Sequence, residues 1–358
     1  MAQTVHIDTA NIANAVLVDH DLSILAENAV RLRIESFAVT ANNVTYAVAG
    51  DMLGYWNFFP APDSMGVVPM WGHARVAQSN HPHIVAGERV YGYLPMGTHL
   101  DVTPDRISPG QFIDAAAHRR PMSPIYNLYS RLVADPEHDP AREGARMVFG
   151  PLFKTGFLIE AMLRREEAYG ASALVMTSAS SKTALSLASV ARALSPNLTR
   201  IGLTSTGNLP FVRQTGLYDQ VMDYSDIAAL PTGPAVCVDF AGDGRLLAQI
   251  HHALGDALAY SCLVGVTHVA AQRPSDAGTL PGPVPVFFFA PDHATATVKD
   301  LGAQGFSDAV AARWRAFLIE TDGFVRIDTR DGLAAARDAF IATVNGQADP
   351  AVGIVVRP

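Results

Sequence analysis

Ala173-Leu-Val-Met-Thr-Ser-Ala-Ser-Ser-Lys-Thr-Ala-Leu-Ser-Leu-Ala188 is the stretch on which the fold turns. Four apolar residues make a short buried strand, a run of tiny residues turns the chain, and alanines and leucines continue as a helix. A helix that starts straight after a strand aims its unpaired backbone N–H groups, and the positive end of its dipole, at an arriving anion. Dinucleotide-binding turns at this place usually carry G-x-G-x-x-G, so that the backbone can approach a pyrophosphate. Here Ser178, Ala179, Ser180 and Ser181 keep the turn small without glycine, which makes Ser178, Ser180, Ser181, Lys182 and Thr183 the candidate phosphate-side groups. A phosphotransferase P-loop does not fit, because Met176 and Ser181 occupy the two glycine positions of G-x-x-x-x-G-K-[ST]. The plainer alternative is an ordinary helix N-cap with Lys182 as a solvated side chain.

Working outward, the pattern alternates. Leu158–Leu163 reads as helix, Arg200–Thr204 as strand, Asn208–Gly216 as a helix ending on glycine, and Gln220–Tyr224 and Ala235–Phe240 as strands. Gly244–Leu254 is helical and Tyr260–Val266 closes the series as a strand. Continuous apolar strands separated by helices indicate a parallel sheet covered on both faces, the doubly wound nucleotide-binding architecture.

Residues 1–125 have a different texture. Arg31–Phe37 alternates polar and apolar, Gly87–Tyr93 is a turn into a β-branched and aromatic run, and Pro and Gly recur between such runs as in a small barrel. Pro121, Pro124, Pro136 and Pro140 mark a domain crossing. Beyond residue 268 a loop through Pro274 and Pro285 leads to helices around Phe306–Leu318 and Leu333–Val344, then to a strand at Val352–Arg357.

Composition narrows the function classes. A chain of 358 residues exceeds one ordinary core, and 49% apolar against 17% charged residues can fill two. The net charge of −8 argues against nucleic acid as a partner. Cys237 and Cys262 have apolar neighbours and read as buried free thiols. No apolar run approaches the roughly 20 residues of a membrane span, and no basic residue precedes Arg31, so a cytoplasmic protein without a signal peptide is expected. His81-Pro82-His83 and His251-His252 lack a third ligand at a telling spacing, so no metal site is expected. His73 has nothing in its spacing to mark it as a base. Only three basic residues are lysine, Lys154, Lys182 and Lys299, and one of them falls at the phosphate-side turn.

Four stretches together resemble the medium-chain dehydrogenase/reductase superfamily, in the branch of zinc-free quinone oxidoreductases and enoyl reductases and in a subgroup of uncharacterised function. They are Asn42-Asn43-Val44-Thr45-Tyr46, Val85–Gly92, Val238-Asp239-Phe240-Ala241-Gly242, and Phe324 through Gly353 to the terminal strand. The resemblance implies a GroES-like barrel over 1–125, a Rossmann domain over 126–290, and a segment 291–358 that returns to the barrel. It also implies that Tyr46, Tyr55 and Asn43 face a nicotinamide, with Tyr46 and Tyr55 in the catalytic role. Members with catalytic zinc use Cys and His ligands, and both cysteines here lie in the middle region. The second strand of the series ends Thr204-Ser205-Thr206 without a carboxylate, which suits a 2′-phosphate. With Arg213 one helix on, and with Tyr224 and Gly242 at family positions, NADPH is the expected cofactor. Relatives pair at the edge of the last strand, here Tyr260–Val266, so a homodimer is expected. The resemblance implies an NADPH-dependent reductase of a quinone, enone or related activated carbonyl. The alternative is a non-catalytic dinucleotide-binding or redox-sensing protein.

Overall fold

The computed structural model describes residues 1–264 and 280–358. The chain divides into two units, Met1–Val148 with Ile327–Pro358, and Phe149–Arg326.

The first unit is the β-rich one. It runs β1 (Ala2–Asp8), β2 (Ala15–His20), β3 (Val30–Val39), α1 (Ala41–Val48), β4 (Met65–Gly66), β5 (Pro69–Ser79), β6 (Arg89–Pro95), β7 (His99–Val102), β8 (Pro104–Asp105), β9 (Gln111–Asp114) and β10 (Leu128–Arg131). The alternation read at Arg31–Phe37 becomes β3, which pairs antiparallel with β5 and β7. Residues of β5 and β6 that share a face pair across the ladder as Trp71↔Tyr93, His73↔Tyr91 and Arg75↔Arg89. The opposite face carries Met70, Ala74, Val76, Val90 and Leu94 into the apolar core, which is the two-residue period of a half-buried sheet.

Helix α2 (Glu143–Arg165) carries the chain from one unit to the other. The second unit then alternates β11 (Ala173–Met176), α3 (Lys182–Leu194), β12 (Thr199–Thr204), α4 (Leu209–Thr215), β13 (Gln220–Asp223), β14 (Ala235–Asp239), α5 (Gly244–Leu254), β15 (Leu258–Leu263), β16 (Val286–Phe287) and α6 (Ala290–Thr321). Its six strands are all parallel, in the order β13-β12-β11-β14-β15-β16. This is the doubly wound order in which the first and fourth strands lie side by side and the winding reverses between them. Every residue of β11 and β14 is buried, which is why those strands read as unbroken apolar runs. The first unit is completed by β17 (Arg326–Asp331), α7 (Leu333–Val344) and β18 (Val352–Arg357). In it, β18 pairs with β3, and α7 adds Leu333, Ala336 and Phe340 to the barrel core.

Three sequence expectations change. The domain crossing read at residue 125 falls instead at Val148/Phe149, because β10 still pairs with β6 and β9 of the barrel. The return to the barrel falls at Arg326/Ile327 and not at 291, because α6 is tied to α3 through Ser189–Glu320 (2.6 Å) and Arg192–Glu320 (2.8 Å). The third concerns the strand expected at Tyr260–Val266. It spans Leu258–Leu263 and is not the sheet edge, since β16 pairs beyond it; Val266 lies outside the described residues, as does Pro274. No helix among the described residues is long and apolar enough to cross a membrane.

Candidate functional site

The C-terminal ends of β11 and β14, where the winding reverses, are where open α/β sheets bind ligands. They are stitched together by two side chains far apart in sequence. The Thr177 hydroxyl donates to Asp239 Oδ1 (2.5 Å) and accepts from the N–H groups of Phe240 (2.8 Å) and Ala241 (3.0 Å). Asp239 also accepts from the Ala241 and Gly242 N–H groups, and its burial pushes its carboxyl above the usual carboxylate range. Gly242 turns there at φ 65°, in the left-handed region that glycine adopts without strain.

The turn after β11 is equally closed on itself. Ser178 stands at φ 46°, and its N–H donates to the Tyr224 hydroxyl (3.0 Å). Asn208 donates to the Ser180 hydroxyl (3.1 Å), and Ser181 caps α3 by accepting from the Ala184 N–H (3.3 Å). The Tyr218 hydroxyl donates to the Ala179 carbonyl (2.8 Å). A Cβ on Gly202 would come within 2.9 Å of Ala179 and 2.8 Å of Tyr218, so a glycine on β12 is what lets turn and strand approach. Lys182 and Thr183 open α3, both half-buried. Thr204 is buried at the end of β12, Ser205 is exposed just beyond it, and Arg213 is exposed on α4. The second strand lacks a carboxylate, but its neighbour does not. Asp223 pairs in register with Thr204 and accepts from the Thr206 hydroxyl (2.6 Å), a bond that holds its carboxyl below the usual range.

In the barrel unit, the outward face of the β5–β6 ladder is layered. At one end Arg75 and Arg89 share Glu35 (2.7 and 2.6 Å), and Arg89 also grips Glu143 (2.7 Å). At the other end, Trp71 and Tyr93 (5.1 Å between ring centres) meet Tyr46, Tyr55, Tyr126 and Phe58, with Tyr46 and Tyr55 only 4.6 Å apart. The Tyr46 oxygen accepts from Asn42 (2.6 Å) and from the Trp71 indole (3.1 Å), and the Tyr55 and Tyr126 hydroxyls bond each other (3.2 Å). Burial pushes these phenols above their ordinary values, so they are neutral donors and not phenolate bases.

Between the two ends lie His73 and Tyr91, with the Arg146 guanidinium 4.2 Å above the Tyr91 ring and Arg146 Nη2 on Asp135 (2.6 Å). His73 is fully buried, and burial pushes its imidazole down to about 4. Burial raises the carboxyl of the adjacent Glu143, but hydrogen bonds from Arg89 and His138 prevail and bring it to about 2.

A family model described as Protein of unknown function (DUF2855) matches residues 37–349. The chain belongs to that family. A search of curated proteins finds no match. Among solved structures, the DUF2855 chain is similar to CurA from Vibrio vulnificus, with a TM-score of 0.63, 15% identity, and coverage of 100% of this chain and 98% of that one. CurA has also been solved in complex with NADPH. This chain is similar to an alcohol dehydrogenase from Thermotoga maritima (TM-score 0.59, 13% identity, 100% and 99% covered). It is also similar to the quinone oxidoreductase from Coxiella burnetii (TM-score 0.56, 13% identity, 100% and 99% covered). These likenesses show the fold alone, a β-rich unit and a doubly wound parallel-sheet unit in one chain, as the sequence reading expected.

The structure brings Tyr46 and Tyr55 together, and gathers Ser178, Ser180, Ser181 and Tyr224 at one turn. Asn43 is spent on the fold: its Oδ1 accepts from the Thr40 N–H (2.7 Å) and its Nδ2 donates to the Pro69 carbonyl (2.9 Å), fastening α1 to β5. Trp71, Tyr93, Tyr126 and Arg146 went unread in the sequence. The period-2 pattern of Trp71-Gly72-His73-Ala74-Arg75 against Arg89–Tyr93 was the available signal, but which face is core is set by pairing.

Proposed function

We propose that this protein is a zinc-independent, NADPH-dependent reductase of a quinone, enone or related activated carbonyl. The observation that carries the reading is the six-stranded parallel sheet with a small-residue strand–turn–helix at its reversal point. The fold shared with CurA, which has been solved with NADPH, supports it.

The residues at the turn fit a dinucleotide. Gly202 makes room for Ala179, the α3 N-terminus presents donors, and Ser180, Ser181, Lys182 and Thr183 would hold the diphosphate. Bound NADPH would supply the hydride, and one proton from solvent completes the addition of two hydrogens to the acceptor. The protein's part is orientation and hydrogen bonding to the carbonyl oxygen as charge develops there. Tyr46 and Tyr55, the phenols that the family resemblance sets beside a nicotinamide, would line the acceptor's site. The same proposal includes a cytoplasmic homodimer, for which exposed Val284, Val286 and Phe287 beside β16 are the apolar edge to cover.

Thermal melting with NADPH, NADH or neither is the test. Stabilisation by NADPH, followed by loss of its absorbance with quinones or enones, supports the reading. No shift with either nucleotide at saturation overturns it. The internal closure of the turn by Tyr224 and Asn208 favours a second reading, a dinucleotide-binding protein without turnover. That reading is supported if NADPH binds and no acceptor consumes it.

A further inference from the structure

We propose that His73 and Arg146 form the polar end of the substrate site and hold the carbonyl oxygen of an uncharged conjugated carbonyl compound whose flat body lies against Trp71 and Tyr93. The inference rests on the reductase reading and names the residues that would hold the acceptor's oxygen, which that reading leaves open.

The first observation is a set of unmet hydrogen bonds. Both ring nitrogens of His73 and Nη1 of Arg146 are buried without a partner. A buried polar group without a partner is costly, and native proteins leave few. Here they lie together on one layered face: His73 projects from the β5–β6 ladder, and Arg146 lies over Tyr91, the residue paired with His73. Elsewhere the barrel shows what full satisfaction looks like. Buried Arg119 donates to Asp114, Asn127, Tyr129 and the Tyr126 carbonyl. Among the described residues the shortfall is local to the outward face of β5–β6.

The second observation is charge. Arg146 already has Asp135 at 2.6 Å and Glu137 at 3.9 Å, and Arg89 is balanced by Glu35 and Glu143. An anionic ligand would meet these carboxylates, while a neutral oxygen needs only donors. Arg146 offers one open nitrogen, not the two-pronged fork that grips a carboxylate, and neutral His73 offers one N–H. That is a set for a single carbonyl oxygen. The third observation is the adjoining layer. Trp71 is stacked on Tyr91 (5.8 Å, 23°) and lies 5.1 Å from Tyr93, and Trp71 and Tyr126 are only half-buried, so a planar conjugated body has aromatic rings to lie on.

The test is binding without nucleotide, read as quenching of tryptophan fluorescence by 1,4-naphthoquinone, with naphthalene as the probe lacking oxygen. The wild-type protein should bind the quinone. His73→Phe and Arg146→Lys should each weaken that binding about ten-fold, the loss of one good hydrogen bond, while naphthalene binding changes less than about two-fold. His73→Phe should melt no lower than wild type, because it removes two unmet polar atoms from the interior. If it does not fold, His73→Gln replaces it.

Three results overturn the proposal. They are no quinone binding by the wild-type protein, folded variants that bind it as tightly as wild type, and equal loss of both probes, as a packing role requires. If naphthoquinone binding and its loss are seen while NADPH leaves the melting temperature unchanged, the subsite stands and the reductase reading falls.

Discussion

The turn at 177–183 and the outward face of β5–β6 solve opposite problems. At the turn, serines replace the expected glycines, and the protein supplies partners from its own distant segments: Tyr224 for the Ser178 N–H, Asn208 for Ser180, Asp239 for Thr177. On the barrel face, burial is as deep, yet His73 and Arg146 keep polar atoms unmatched. A self-satisfied region holds a shape, whereas an unsatisfied one stores a demand that a ligand can meet. The same contrast exists inside the barrel unit, between fully bonded Arg119 and half-bonded Arg146.

The comparison can be broken most forcefully at Arg119. Its pair with Asp114 is 0% and 1% exposed, so Arg119→Met strands a buried carboxylate and should cost about 3–5 kcal/mol in chemical denaturation. A smaller loss would mean that Asp114 finds another donor.

The next effect is set by pH. In the fold His73 holds its proton only below about 4, against an ordinary 6.5, so the unfolded chain binds the extra proton between those values. Stability is therefore fully present above about 6.5 and declines as pH falls towards 4, by up to about 3 kcal/mol. Glu143 acts lower, between its ordinary 4.5 and about 2, and Arg89, Arg146 and His138 also bear on His73. Urea midpoints measured across pH 4–7 should show this slope in the wild-type protein and not in His73→Phe. An equal slope in both assigns it elsewhere.

At the turn, Thr177→Val removes the donor to Asp239 and the acceptor for two N–H groups. It should destabilise by about 1–3 kcal/mol, read as a lowered melting temperature, with a larger loss of NADPH stabilisation than of protein stability. The mildest change tests cofactor choice. Asp223 places a negative charge beside Thr204, so Asp223→Asn should raise NADPH affinity about five-fold and leave NADH nearly unchanged in calorimetric titration. Equal gains for both nucleotides would remove the 2′-phosphate from that corner.

Much of the chain's organisation was legible because its signals are local. The helices at Gly244–Leu254 and Leu333–Val344 and the strand at Val352–Arg357 have the bounds read from the residues, with glycine or aspartate at the starts of both helices. Legibility failed where local signals mislead. Helix α6 begins at Ala290, yet Gly302 turns at φ 73° inside it, so the sequence reading begins the helix only at Phe306. Prolines between 121 and 140 look like a linker, but they sit in short turns of the barrel unit, on either side of β10. The sites follow the same rule. Ser181 as a cap is a local fact, while Asp223 beside Thr204 is a fact of register.

The sequence alone therefore determined the class of the molecule. Unbroken apolar strands, small-residue turns and capped helices permit little besides a doubly wound sheet attached to a β-rich unit, because periodicity and capping act within a few residues. Tertiary structure alone decided which strands lie side by side, that Thr177 meets Asp239 sixty-two positions away, and that His73 is buried with nothing to bond. Burial and partnership are properties of packing, and packing joins residues that the chain keeps far apart.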